Sequence, residues 1–286
     1  MQSIAPHEAQ PQAIRLIVNA DDLGLHPKID DGIFAAHQNG IVTSATLLVT
    51  GRNAASAVER AKQAKLPLGL HLCLTSHLTP AAPTHAVRWL APGGRFRHSW
   101  AELAAAWAAR LVPKDEVRRE LRAQLEKARA LGAHVDHLDS HQHVHWLPGL
   151  VELWEELAFE NKLPLRGPNA QPRPFAWLYP AGALKEALLG TMSQRADKIG
   201  SPRTWGIAES GRLGRELLVS LLRRLPVGTH ELVCHPGKHP GKVPEQPTWH
   251  YGWELELEAL CSAQARQVVN ERGIELISYA QLNGHA

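Results

Sequence analysis

The feature that most narrows the fold is an alternation along the chain. Short apolar runs rich in β-branched residues fall near 14–20, 42–49, 67–74, 133–139, 163–167, 203–208, 229–235 and 274–278. Between them, Ile29 to Asn39, Ala54 to Ala64, Val117 to Leu131, Leu150 to Glu160, Arg215 to Leu225 and Glu254 to Arg272 carry helical spacing. Gly40, Gly132 and Gly273 follow three of these stretches directly and suit left-handed helix ends. Strands separated by helices imply parallel pairing, because each return to the same sheet edge needs a crossover. The expectation is an α/β fold whose mostly parallel strands close into a barrel. An open doubly wound sheet is the alternative, but no GxGxxG follows the first run, and the acidic residues there repel phosphate.

A chain of 286 residues fits one such barrel. Residues 1–13 read as a flexible N-terminus and 14–286 as a single barrel domain. Pro- and Gly-rich insertions near 76–113 and 236–252 are expected to border a substrate. With 44% hydrophobic and 21% charged residues the chain is not a disordered one. A formal charge of +3, with Lys and Arg scattered, excludes a nucleic-acid partner. Cys73, Cys234 and Cys261 lack CxxC spacing, so neither a disulfide framework nor a thiolate zinc site is expected, and a reducing cytoplasm fits. No apolar run reaches the roughly 18 residues of a membrane span and none resembles a signal peptide, so the protein is expected to be soluble.

In a parallel barrel, chemistry gathers at the carboxyl ends of the strands. "NADDLGL" puts Asp21 and Asp22 at the end of the first, "GLHLCLT" puts His71 in the third, "HVDHLDSHQHVH" puts Asp139 and His141 at the end of the fourth, and "HELVCHPG" puts His235 at the end of the seventh. Imidazole and carboxylate groups from separate strands can surround a divalent metal. Adjacent residues of an extended chain point oppositely, so Asp21 and Asp22 are expected to approach such an ion from different sides. His141, His143 and His145 would project to one side if that run is extended. Each element also has a plainer explanation: a strand-to-helix turn at Asp21 and Asp22, a core histidine at 71, a solvated loop at 141–145, a turn residue at 235.

Taken in order, the stretches "LIVNADDLGL", "GIVTSATLLVTG", "LGLHLCLT" and "HVDHLDSHQHVHWLPG" resemble the YdjC-like carbohydrate deacetylases over about residues 14 to 170, with a further match at "ELVCHPG". Leu23 stands where Phe is usual, and 76–113 and 168–203 match loosely. The resemblance implies a distorted TIM-like barrel that removes acetyl groups from N-acetylated amino sugars with one divalent metal, magnesium or zinc. It also implies Asp22, His71 and His141 as metal ligands, Asp21 as general base, His235 as general acid, and Arg166 in "LPLRGP" as the group that positions the base. His143 and His145 would support the ligands or touch substrate, and Asp139 would orient an imidazole.

The expected substrate is an N-acetylated amino sugar, either a free oligosaccharide or lipid-linked. Trp89, Trp100, Trp107, Trp249 and Trp253 lie in or beside the insertions, where indole faces could stack on sugar or an apolar aglycone. The alternatives are a metal-dependent phosphoesterase or amidohydrolase, disfavoured by the lack of a first-strand HxH, and a non-catalytic sugar-binding barrel. The oligomeric state is left open, a homodimer being one arrangement the sequence allows.

Overall fold

A computed structural model describes residues 13–167, 201–241 and 251–282. Most of the expected N-terminal segment, the loosely matched 168–200 stretch, part of the second insertion and Trp249 lie outside the described residues. The described strands are β1 (Ile14–Leu23), β2 (Ser44–Leu47), β3 (Leu68–Leu72), β4 (Val135–Ser140), β5 (Arg203–Trp205), β6 (Gly228–Cys234) and β7 (Ile274–Leu276). The described helices are α1 (Pro27–Asn39), α2 (Ala54–Ala64), α3 (Trp100–Ala108), α4 (Lys114–Ala130), α5 (Val151–Asn161), α6 (Arg215–Arg224), α7 (Trp253–Cys261), α8 (Ala263–Glu271) and α9 (Tyr279–Leu282).

Every described strand pair is parallel, in the order β4-β3-β2-β1-β6-β5, with β7 on β1. β1 lies near the middle and is covered on both faces, which is why its side chains read as an unbroken apolar run rather than an alternation. β7 and β2 divide one edge of β1 between them. β7 pairs with Ile14–Leu16, and β2 takes over from Asn19 onward. The sheet curls into a distorted TIM-like barrel. The expected strand at 163–167 contributes a single ladder bridge, Leu165 to Leu138. Its other edge meets β5 through side chains, Ser201 Oγ donating to Leu165 O at 2.6 Å and Thr204 Oγ1 to Gly167 O at 2.8 Å. Among the described residues the ring is therefore closed by hydroxyls on one side rather than by a continuous ladder.

Three local expectations are corrected. The stretch 254–272 is two helices, because Ser262 (φ −66, ψ 146) leaves the helical conformation and its side chain caps Ala265 N. Gly40 ends α1 at φ −129, not in the left-handed region. The 76–113 insertion is not merely loop: it holds α3, started by Ser99 as a side-chain cap. One face of α4 explains the insertion's order. Glu116 accepts Trp89 N and Leu90 N, Glu120 accepts Ala81 N and Ala82 N, and Gln124 bonds both the N–H and C=O of Cys73. These polar residues recur every fourth position and satisfy backbone groups of the loop, among them those of the buried Cys73, Ala82 and Leu90.

No described helix is long and apolar enough to cross a membrane. Cys73, Cys234 and Cys261 are unbridged.

Candidate active site

The expected positions of Asp21 and Asp22 need one correction. Between Ala20 and Leu23 the β1 register against β2 slips, three steps on β1 matching two on β2, and Asp22 has φ 69. This bulge cancels the alternation of an extended strand, so both carboxylates approach the same imidazole. His71 Nε2 lies 3.5 Å from Asp22 Oδ1 and 4.0 Å from Asp21 Oδ2. His71 and Asp139 are ladder partners, and His71 Nδ1 sits 2.8 Å from Asp139 Oδ1. Since an ionised carboxylate only accepts, Nδ1 carries the proton and Nε2 is the atom turned toward the aspartates.

The run 141–146 is not extended. Gln142 and His143 both have φ 55, and the segment closes into a tight turn that separates its histidines. His141 Nδ1 lies 2.9 Å from Asp22 Oδ1, while its Nε2 meets Ser76 Oγ at 2.9 Å. His145 turns the other way, toward Ser140 Oγ and Arg166 O, and burial holds its pKa down to about 3. It is therefore a neutral imidazole.

Nitrogen atoms of His71 and His141 and a carboxylate oxygen of Asp22 thus lie within 4.8 Å of one another, all buried. Neither Asp22 oxygen accepts a well-aligned hydrogen bond. Two buried acceptor oxygens without such donors, facing two imidazoles whose far nitrogens are tied, fit a divalent cation. Burial opposes charge throughout this pocket. It is outweighed at His71, whose pKa rises to about 10 under Asp139 and Asp21, and at Asp22, which His141 and His71 pull well below the carboxylate range. At His141 burial prevails and the pKa falls.

A second group, Asp21, His71 and Asp139, also satisfies metal-ligand spacing. It already contains a cation. Arg166, fully buried, donates to both Asp21 oxygens at 2.9 and 2.8 Å, meets Asp139 Oδ2 at 2.6 Å and donates from Nε to Glu231 Oε1 at 2.8 Å. Burial alone would raise the Asp21 pKa, but Arg166, then His71 and His235, hold it well below the ordinary value. His235 Nε2 faces Asp21 Oδ2 at 4.0 Å, and its backbone N–H is held by Glu256.

The sequence profile of the YdjC-like protein family matches residues 15–271. The chain belongs to the YdjC-like family. A protein of Brevibacillus brevis named carbohydrate deacetylase is 33% identical over 280 residues, covering 94% of this chain and 100% of its own. A chitooligosaccharide deacetylase of Yersinia enterocolitica is 32% identical, covering 93% of this chain and 98% of its own. Among solved structures, one from Enterococcus faecalis, named for cellobiose-phosphate cleavage, superposes with a TM-score of 0.75 at 27% identity, over 94% of this chain and 99% of that one.

In this YdjC-like chain the six singled-out residues Asp21, Asp22, His71, His141, Arg166 and His235 come together in one buried cluster. Of the tryptophans, Trp89 and Trp100 are exposed at 51% and 38%, as a stacking surface needs. Trp107 donates its indole N–H to Pro148 O, and Trp253 is buried behind Tyr251, whose ring lies edge-on to His235. Sequence reasoning missed Ser76, Glu231, Glu256 and Tyr279. Only Glu231 had a signal, an acidic residue directly before the apolar run Leu232, Val233 and Cys234 of one strand.

Proposed function

We propose that this chain is a carbohydrate N-deacetylase, a hydrolase that removes the acetyl group from an N-acetylated amino sugar and releases acetate. The names of its relatives support the reaction class. The observation that carries it is the pairing of an open, acceptor-lined corner at Asp22, His71 and His141 with a neighbouring carboxylate, Asp21, clamped by a guanidinium.

Asp22, His71 and His141 would hold one divalent cation. Their two imidazoles favour zinc or another transition ion, with magnesium the oxygen-preferring rival. When bound, such an ion lowers the pKa of its water and withdraws charge from an amide carbonyl oxygen. The remaining work falls to the chain's own groups. Asp21, kept ionised by Arg166, accepts the proton of the attacking water at Oδ2, the oxygen that faces His71 and His235. Arg166 fixes the plane of that carboxylate with a two-bonded fork. His235, facing Asp21 Oδ2 from the end of β6, delivers a proton to the departing sugar nitrogen. The acetamide carbon must sit between them. Free chitooligosaccharides and lipid-linked amino sugars are the two substrate forms, and a reducing cytoplasm suits the three free thiols.

The test is acetate release from N-acetylglucosamine, chitobiose and an N-acetylglucosaminyl lipid, with metal content measured alongside. We expect one metal equivalent and acetate from at least one substrate. Asp21→Asn should keep the metal and lose activity by about 10²- to 10⁴-fold, while His71→Ala should lose the metal. One equivalent with no acetate from any N-acetylated sugar would mean a binding protein. Two equivalents would favour a phosphoesterase, against which stands Arg166 filling the second carboxylate cluster.

A further inference from the structure

We propose that Glu231 and Tyr279 are positioning residues for Asp21, acting through Arg166; the proposal rests on the deacetylase reading. Both terminal nitrogens of Arg166 are spent on Asp21 and Asp139. Nε lies outside that fork and donates to Glu231 Oε1 at 2.8 Å, so Glu231 braces the planar guanidinium at a third nitrogen. The other Glu231 oxygen accepts from the Tyr279 hydroxyl at 2.7 Å. Tyr279, the first residue of α9, is stacked on His137 with ring centroids 3.8 Å apart and planes 14° from parallel. His137 in turn lies over Gly69, where an added Cβ would come within 2.2 Å of the imidazole. A buried chain of contacts therefore runs from the C-terminal helix and β3 to the base.

Charge balance does not account for Glu231. Arg166 already faces Asp21 and Asp139, so a third buried carboxylate adds desolvation cost without neutralising anything further. Its position on the free Nε does account for it. Losing that anchor lets the guanidinium pivot, and the fork that aims Asp21 loosens with no change to the groups that would bind sugar.

Tyr279→Phe removes one oxygen and keeps the ring on His137, and Glu231→Gln keeps shape while replacing the carboxylate acceptor of Nε by a neutral amide, which weakens a charge-assisted bond. We expect kcat to fall by about 10- to 100-fold in Glu231→Gln and by about tenfold in Tyr279→Phe, with KM and metal content unchanged. The Arg166 Nε–H proton resonance should be sharp and slow to exchange in the wild type and should broaden in both variants. Folded variants whose kcat stays within about twofold of wild type would overturn the proposal, as would a change confined to KM or a loss of metal. A wild type that releases no acetate would defeat the deacetylase reading instead, and an Arg166 resonance left sharp by both substitutions would still defeat this one.

Discussion

Two corners of the same buried cluster share His71 and are finished differently. In one, Asp22 faces His71 and His141 with no cationic side chain supplied by the chain other than the histidines themselves. In the other, Asp21, Asp139 and Glu231 surround Arg166. Ligand spacing alone does not separate them, since Asp22, His71 and His141 on one side and Asp21, His71 and Asp139 on the other are both close enough to hold an ion. What separates them is whether the protein already carries the positive charge. The first corner leaves the cation to come from outside, and the second has its carboxylates committed and one of them held rigid. A hydrolytic site needs both conditions, an electrophile and a fixed base, within a few ångströms.

The sharpest way to break this comparison is to remove the internal cation. Arg166→Ala leaves Asp21, Asp139 and Glu231 buried without their shared guanidinium, and should cost about 3–5 kcal/mol of folding free energy, read by chemical denaturation. The same variant sharpens the comparison through its metal content. If the second corner is a cation site closed by arginine, the folded fraction should take up a second equivalent of metal. A loss of stability well under 1 kcal/mol would mean that water already reaches these carboxylates.

A third buried carboxylate has neither solution. Asp30, in the first turn of α1, accepts from Gly24 N and from the Asn53 amide, but the nearby guanidinium of Arg60 is paired with Asp31, and burial outweighs these and pushes the Asp30 pKa up to about 6. Asp22 and Asp21 move the other way in equally buried surroundings. Because the folded-state pKa is raised, the folded protein holds this proton more tightly than the unfolded chain does. The contribution is therefore present at low pH and lost as pH rises from about 4 through 6, amounting to about 3 kcal/mol for a shift of this size. Unfolding free energies of wild type and Asp30→Asn, measured from pH 4 to 7, should diverge by about that amount against the wild type. Parallel curves would mean that Asp30 is solvated well enough to keep an ordinary carboxylate pKa.

Much of this was legible in the sequence because it depends on periodicity. Seven of the apolar runs became strands within a few residues of their expected bounds, and strand ends carried Asp21, Asp22, His71, Asp139, His141 and His235 to one face. What periodicity does not encode is a residue that breaks it. Asp22 at φ 69 and the φ 55 pair Gln142 and His143 reverse the direction in which neighbouring side chains point, and neither position is glycine, the usual marker of such a conformation. Ser262 divides an apolar pattern that runs on without interruption. Glu231 and Tyr279 are 48 residues apart and pair with each other, with Glu231 against Arg166, only once the barrel has formed. Contacts of that range belong to tertiary packing, and no local pattern announces them.

The finest distinction lies inside the open corner, between the ways its two imidazoles are held. His71 is backed by a carboxylate, Asp139, and His141 by the neutral hydroxyl of Ser76, which also accepts from Gln142 at 3.1 Å. A carboxylate both aims an imidazole and raises its basicity, whereas a hydroxyl only aims it. Ser76→Ala should therefore act on orientation alone and weaken metal binding by about tenfold, near 1.4 kcal/mol, as read by competition against a chelator. The substituted position keeps its left-handed backbone (φ 65), for which alanine is no better suited than serine, so loop geometry is held nearly constant. An unchanged affinity would assign the aim of His141 to the tight 141–146 turn itself, and the two imidazoles would then be fixed by unrelated means: one by an ionic partner across the sheet, the other by its own backbone.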